Sequence, residues 1–256
     1  FQNGASSNSG SAHRDSSQMA ISRSMTHAPS YRWHTRKTMS LAILHSRAKV
    51  GVDAPAVTVE VHISNGLPSL SIVGLPETAV RESKDRVRSA LLNAHFEFPP
   101  RRITINLAPA DLPKEGGRYD LAIALGVLAA SGQLPEAALG DYEFIGELAL
   151  SGELRPVDGV LPTALACGQA GRTLILPAAN AGEGALARAT RVLGANHLLD
   201  VCAHLRGNQE LAPPVANAHG SSAPVADISE VGGQHQAKRA LEIAAAGEHN
   251  ILFFGP

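Results

Sequence analysis

The segment from Leu121 to Ala130 constrains the fold more than any other part of the sequence. It reads LAIALGVLAA, contains no polar side chain, and is followed at Gly132 by a residue type that commonly ends helices. A helix that is apolar on every side has no face suited to water, so other elements must cover it from several directions. The sequence therefore predicts a buried helix.

Strands and amphipathic helices are predicted on both sides of this helix. Three strands at 40–50, 56–64 and 70–73, with an Asn65-Gly66 turn, indicate an antiparallel meander. The other predicted strands cover 102–107, 143–150 and 173–176, and a hairpin turn is predicted at 152–153. The first predicted helix begins at 76 and has Val80, Val87, Leu91 and Ala94 on one face. The other predicted helices cover 161–168, 178–187, 197–205 and 234–246. This order of elements is typical of layered α+β or α/β proteins, and we assign the α+β class.

Composition excludes several classes of protein. The 256 residues carry a net charge of −1, so the chain lacks the overall positive charge that is typical of an autonomous nucleic-acid-binding domain. Only Cys167 and Cys202 are present, which argues against a disulfide framework, and without a CxxC or Cys/His cluster we expect no metal site. The apolar runs are far shorter than the roughly 20 residues of a membrane span, so we expect a cytoplasmic protein without a membrane partner.

The chain divides into four predicted regions. Residues 1–38 are rich in Ser and Arg without apolar periodicity, and we interpret them as a disordered leader or non-native extension before Met39; a transit peptide is the alternative. Residues 39–206 form the main domain, 207–226 a Pro-rich linker, and 227–256 the start of a second domain. This last region ends in a predicted strand at 250–254 that leads into Gly255-Pro256.

Arg81, Lys84 and Arg88 lie on roughly one face of the first predicted helix. They could form a phosphate-contacting patch or a subunit interface. The alternative is a solvated helix face in which the interleaved Glu77, Glu82 and Asp85 supply ion-pair partners, and the mixed charge favours this alternative.

Several long segments resemble the YifB/ComM family of magnesium-chelatase-like AAA+ ATPases. The main domain contains VEVHISNGLPSLSIVGLPETAVRESKDRVRSAL, RRITINLAPADLPKEGGRYDLAIALGVLAASG and GELALSGELRPVDGVLPTALA, and the C-terminal region reads GGQHQAKRALEIAAAGEHNILFFGP. The resemblance extends from Met39 to Pro256. It implies a ribosomal protein S5 domain 2-like (Lon-protease-like) fold for 39–206 and the start of a P-loop AAA+ α/β domain from 227.

The resemblance also implies a nucleotide site. Val231, Gly232 and Gly233 would contact adenine, and Gly255 and Pro256 would open the phosphate-binding loop. The residues that hold the phosphates and Mg²⁺ in such a loop would follow Pro256. We therefore expect the full-length protein to bind ATP and Mg²⁺ as cofactors, and this chain alone to bind no cofactor.

The Lon-like framework raises the question of a Ser/Lys peptidase. In that family a Ser nucleophile follows a Pro-Lys-Asp-Gly run, which matches 113–116 here, and a Lys base follows a Gly-rich run, which matches 146–159. The expected Ser falls near Arg118-Tyr119 and the expected Lys at about Thr163. Because Lys114 is the one lysine nearby and no Ser occurs at 109–130, we assign no catalytic residue and expect no proteolysis.

The function implied by the resemblance is that of a motor. The best-understood branch of the family is a hexameric DNA helicase that promotes branch migration during natural transformation. A homo-hexamer, with DNA bound by the complete motor, is therefore the expected assembly. A magnesium-chelatase-type metal-insertion motor is the alternative, although the long N-terminal domain argues against it.

Overall fold

The computed structural model describes residues 41–214 and 227–255. The predicted leader with Met39 and Ser40, most of the predicted linker (215–226) and Pro256 lie outside these ranges. The strands are β1 Leu41–Arg47, β2 Ala56–Ser64, β3 Ser69–Val73, β4 Arg102–Ala108, β5 Tyr142–Phe144, β6 Glu147–Leu148, β7 Leu154–Arg155, β8 Thr173–Pro177 and β9 Val192–Ala195. The helices are α1 Thr78–Asn93, α2 Asp120–Ala130, α3 Val160–Gln169, α4 Ala181–Gly184, α5 Leu198–Leu205 and α6 His235–Ala246.

Seven strands form one mixed, mostly parallel sheet in the order β3-β4-β2-β1-β5-β8-β9. Strand β2 pairs antiparallel with β1 and β4, and the other neighbours are parallel. The predicted three-stranded meander is wrong for its third member, because β3 pairs with β4 and not with β2. Helix α1 connects β3 to β4, and such a crossover helix makes the two strands parallel. The short β3 is left at the sheet edge.

The predicted buried helix is confirmed. All residues of α2 are buried, and the helix packs on β1 and β2 on one side and on α1 on the other. The predicted apolar face of α1 is also confirmed, since Val80, Val87, Leu91 and Ala94 are at most 5% exposed. The main core thus lies between the sheet and these two helices.

A second, smaller core packs against the other face of the sheet. It includes Val160 and Ala164 of α3, Ala181 of α4, and Leu174 and Leu176 of β8. The strand predicted at 143–150 is divided into β5 and β6, because Gly146 (φ +156°) turns the chain away from the sheet. The helix predicted at 178–187 is a 3₁₀ turn followed by the single turn of α4, and β9 was not predicted.

The last region differs from its prediction at one point. Helix α6 is confirmed, but residues 250–254 form no strand, and Leu252 and Phe254 are 86% and 96% exposed. A parallel strand needs neighbouring strands for its hydrogen bonds, and no described strand pairs with this segment. Leu211, in the predicted linker, is buried in the main core.

None of the helices in the two described ranges combines the length and apolar character needed to cross a membrane.

Candidate functional site around Arg118 and Thr163

The irregular segment between β4 and α2 is held in place by a buried lysine. Lys114 has no exposed surface, and its Nζ donates to the carbonyl oxygen of Pro109. Its own carbonyl oxygen accepts from the backbone N–H of Glu77 at 3.2 Å, which attaches the segment to the start of α1. Burial lowers the pKa of Lys114. No serine hydroxyl contacts this amine in the described part of the chain, so Lys114 braces the backbone.

The two positions at which the Lon-like framework expects Ser and Lys lie side by side. Arg118 Nη2 donates to Thr163 Oγ1 at 3.0 Å, and this hydroxyl donates to the carbonyl oxygen of Gly159 at 2.9 Å. Gly159 adopts φ +68° immediately before α3, and this turn directs Thr163 towards Arg118. The framework therefore brings the expected positions together, but with a guanidinium and a threonine hydroxyl at them.

Arg118 is almost entirely buried and has little to neutralise it. It is 5% exposed, its Nε has no hydrogen-bond partner, and no carboxylate of the described residues lies within 4.0 Å. Burial lowers its pKa. The neighbouring Tyr119 is fully buried, and its hydroxyl has no hydrogen-bond partner among the residues that the structure describes. Burial raises the pKa of Tyr119. Such unpaired groups are rare because each costs free energy in a folded interior.

A buried carboxylate network lies next to this segment in the chain. Asp120 has no exposed surface and accepts from the Ser83 hydroxyl, from Arg86 Nε at 2.6 Å and from the Leu148 backbone N–H at 3.2 Å. Burial raises the pKa of Asp120, and its hydrogen bonds with Arg86 and Ser83 oppose this rise. The network ties α1, α2 and β6 together. Sequence reasoning missed it, although an acid at the first position of an apolar helix was a usable signal.

A cavity of about 280 Å³ opens beside Arg118. Gly116 and Gly117 leave one wall without side chains, and a Cβ at Gly117 would approach the Glu147 carboxylate to 2.6 Å. The cavity is lined by Lys49, Glu115, Gly116, Gly117, Arg118, Glu147, Pro156, Val157 and Asp158.

The structure divides the predicted basic patch. Lys84 and Arg88 line a groove of about 440 Å³ with Arg101, whereas Arg81 lines a separate depression with Pro76 and Glu77. The Arg88 guanidinium lies 4.9 Å from the centre of the Phe98 ring.

The ion pairs expected to neutralise the patch do not form around its three predicted members. Of the interleaved acids, Glu82 pairs with Arg86 at 3.8 Å, and Arg81, Lys84 and Arg88 have no salt bridge within the described ranges. The groove therefore offers unpaired positive charge, although Asp85 is also among its lining residues.

The predicted nucleotide segment lies on the surface before α6. Val231 is 46% exposed, Gly232 and Gly233 are exposed, and Gly233 has φ +65°. Gly255 is exposed and Pro256 is outside the described residues. The sequence contains no G-x-x-x-x-G-K-[ST] motif, so these residues include a candidate adenine contact but no phosphate or Mg²⁺ ligand of that type. They do not by themselves fit a complete ATP site.

No group of His, Cys, Asp and Glu in the described residues has the arrangement of a metal site.

Comparison with known proteins gives two family matches along the chain. Residues 59–180 match the family model described as subunit ChlI of Mg-chelatase, and residues 227–256 match the model described as magnesium chelatase, subunit ChlI. These matches define a magnesium-chelatase-like protein. The chain is 56% identical to the protein YifB of Salmonella typhimurium over 218 residues and 53% identical to the competence protein ComM of Haemophilus influenzae over 225 residues. It belongs to the YifB/ComM family.

The matches cover 85% of this chain but only 43% and 44% of those two relatives. The chain thus spans less than half the length of these relatives. A Lon protease of Chloroflexus aurantiacus is 30% identical over 139 residues, which are 50% of this chain and 16% of that protease.

Proposed function

We propose that this chain is the N-terminal part of an ATP-driven motor that acts on DNA, as a helicase or branch-migration factor in DNA uptake and recombination. The order of the two magnesium-chelatase matches, with a relative named as a competence protein, supports this proposal above all. The nucleotide-binding residues, and assembly into a homo-hexamer, belong to the complete protein in this proposal.

The Lon-like domain serves as a non-proteolytic accessory domain. Arg118 and Thr163 stand where a peptidase would need a Ser nucleophile and a Lys base, and an arginine does not lose its proton at physiological pH. The S5 domain 2-like fold proposed for this domain fits its mixed sheet and its similarity to a Lon protease.

Within this domain, the groove at Lys84, Arg88 and Arg101 is the proposed contact with DNA. Within the described residues its cations form no salt bridge, and the exposed guanidinium over Phe98 leaves N–H groups for phosphate oxygens. Because the chain has a net charge of −1, this contact supplements the complete motor and does not replace it.

The activity of the motor is tested on the complete protein that contains this chain. We expect ATP hydrolysis that increases when branched or duplex DNA is added, together with strand separation or branch migration in a gel assay. A rate of ATP hydrolysis that does not change when DNA is added would contradict the proposal. ATP-driven insertion of Mg²⁺ into a porphyrin would favour the metal-insertion alternative.

The groove is tested separately on the chain itself. Lys84→Ala with Arg88→Ala should weaken duplex binding, measured by fluorescence anisotropy, and reduce the slope of log K against log salt by about 2. Arg81→Ala, outside the groove, is the matched control and should change neither quantity. An unchanged slope in the double variant would exclude the groove as a DNA contact.

A further inference from the structure

The Arg118 guanidinium combines burial with unused hydrogen-bonding capacity. An arginine carries several N–H donors, and in the described residues Thr163 Oγ1 is the one acceptor that Arg118 reaches. The other buried arginine, Arg47, is neutralised, because it holds Glu143 with two hydrogen bonds of 2.6 and 2.9 Å. Arg118 therefore lacks the acidic partner that a buried guanidinium ordinarily has.

The cavity beside Arg118 gives a ligand access to this charge. The wall is open at Gly116, where a Cβ meets no atom within 4 Å, whereas Gly117 lies against the Glu147 carboxylate. A volume of about 280 Å³ suits a small molecule or the end of a peptide and is too small for a folded segment.

The charges around the cavity select among anions. Three carboxylates line the cavity, those of Glu115, Glu147 and Asp158. Asp158 lies 3.8 Å from Lys49, and Glu147 lies 3.6 Å from Arg155. Three carboxylates disfavour a dianionic phosphate or a phosphodiester chain by like-charge repulsion. A single carboxylate can accept two parallel hydrogen bonds from the planar guanidinium and carries only one negative charge.

We propose that this cavity is a binding site for a small carboxylate, held by Arg118 in the place where a Lon-type enzyme has its dyad. The carboxylate comes either from a free organic acid or from the C-terminus of a peptide. Arg118 binds the anion, and Thr163 orients the guanidinium through its Oγ1. No bond is made or broken.

Calorimetric titration of the chain tests the site with five probes: acetate, glycylglycine, a tripeptide with a free C-terminus, the same tripeptide amidated, and inorganic phosphate. Saturable binding of acetate and the free peptides, without binding of the amide, is expected. Acetate binding as tightly as the tripeptide identifies a free acid as the source, and tighter tripeptide binding identifies a peptide C-terminus. Failure of all carboxylates, equal binding of the amide, or tighter binding of inorganic phosphate would overturn the proposal.

Variants separate a binding role from a structural one. Arg118→Met should reduce carboxylate affinity roughly 10- to 100-fold, the usual loss for a charged hydrogen bond, and Arg118→Lys should retain part of it. The exposed Arg188→Met is the control and should bind as the unaltered chain does.

The stability of the ligand-free variants is the second readout. Because Arg118→Met removes an uncompensated buried charge, its urea midpoint should equal or exceed that of the unaltered chain. A clearly lower midpoint would show that Arg118 is a structural brace and would overturn the proposal, independently of the titrations.

Discussion

His204 is a single residue whose protonation is coupled to folding. Its Nε2 lies 3.1 Å from the Tyr142 hydroxyl, and its Nδ1 accepts from the Leu211 backbone N–H at 3.2 Å. Burial, and then the charge of Arg191, lowers the pKa of His204 below its usual 6.5, against a smaller opposing effect of Glu210. The folded chain therefore favours the neutral ring, which alone can accept at Nδ1.

This coupling predicts a loss of stability in mild acid. A histidine whose pKa falls on folding binds its proton more readily in the unfolded chain, so stability is complete above 6.5 and declines as the pH drops through that value. His204→Gln should flatten the dependence of the urea midpoint on pH between about 7 and 5, where one proton changes the unfolding free energy by at most about 1.4 kcal/mol per pH unit.

The exposed His62→Gln serves as the control and should leave this dependence unchanged. Part of the dependence should survive in His204→Gln, because burial and then the charge of Arg172 also lower the pKa of His45. An identical slope in His204→Gln and the unaltered chain would refute the assignment.

At the scale of elements, the contact of α2 with the sheet depends on a glycine. A Cβ at Gly126 would lie 2.5 Å from Val61 Cγ2 and 3.1 Å from Leu44 Cδ1, on β2 and β1. Both neighbours belong to the main core and cannot move away freely. The absent side chain lets the helix approach the strands closely.

Gly126→Ala should therefore destabilise the chain although alanine is the better helix former. Overpacking costs about 1–3 kcal/mol, and the helix-propensity gain is about 0.5–1 kcal/mol, so urea unfolding should show a net loss of up to about 2.5 kcal/mol. Gly182→Ala, where a Cβ meets no atom within 4 Å, should be neutral or stabilising.

A double variant tests the contact directly. If the Val61 methyl causes the loss, Gly126→Ala with Val61→Ala should be more stable than the sum of the two single changes predicts. Strict additivity would show that the cost of Gly126→Ala arises elsewhere.

At the scale of the whole molecule, residues 41–214 form the sheet with its two cores, whereas residues 227–255 contribute helix α6 and an exposed apolar segment. Ile251, Leu252, Phe253 and Phe254 are 42–96% exposed. The nucleotide-contacting residues proposed in this region are likewise on the surface.

This arrangement predicts that the chain alone does not bind ATP. Without the Lys and the Ser/Thr of a P-loop, the candidate adenine contact at Val231–Gly233 cannot hold the phosphates or Mg²⁺. Calorimetric titration with ATP and Mg²⁺ should give no stoichiometric heat, while the complete protein should bind. A one-to-one signal from the chain would contradict this prediction.

Sequence patterns sufficed to predict the buried faces of two helices. The apolar run of α2 and the face of α1 could be predicted because burial requires a helical period of apolar residues. The irregular segment before α2 followed from its Pro and Gly content, and the family followed from long motifs in a fixed order.

Tertiary structure alone determined the features that depend on contacts between residues distant in the sequence. The position of β3 beside β4 and the division of the strand at Gly146 depend on contacts that periodicity does not encode. The sequence by itself determined which residue types occupy the expected dyad positions. Only the fold, by bringing residues 118 and 163 to within 3.0 Å beside an open cavity, determined that they form a buried and incompletely paired cation. The physical reason is that the burial of a charge and its hydrogen bonds depend on packing in three dimensions, and the residues that pack together are far apart in the sequence.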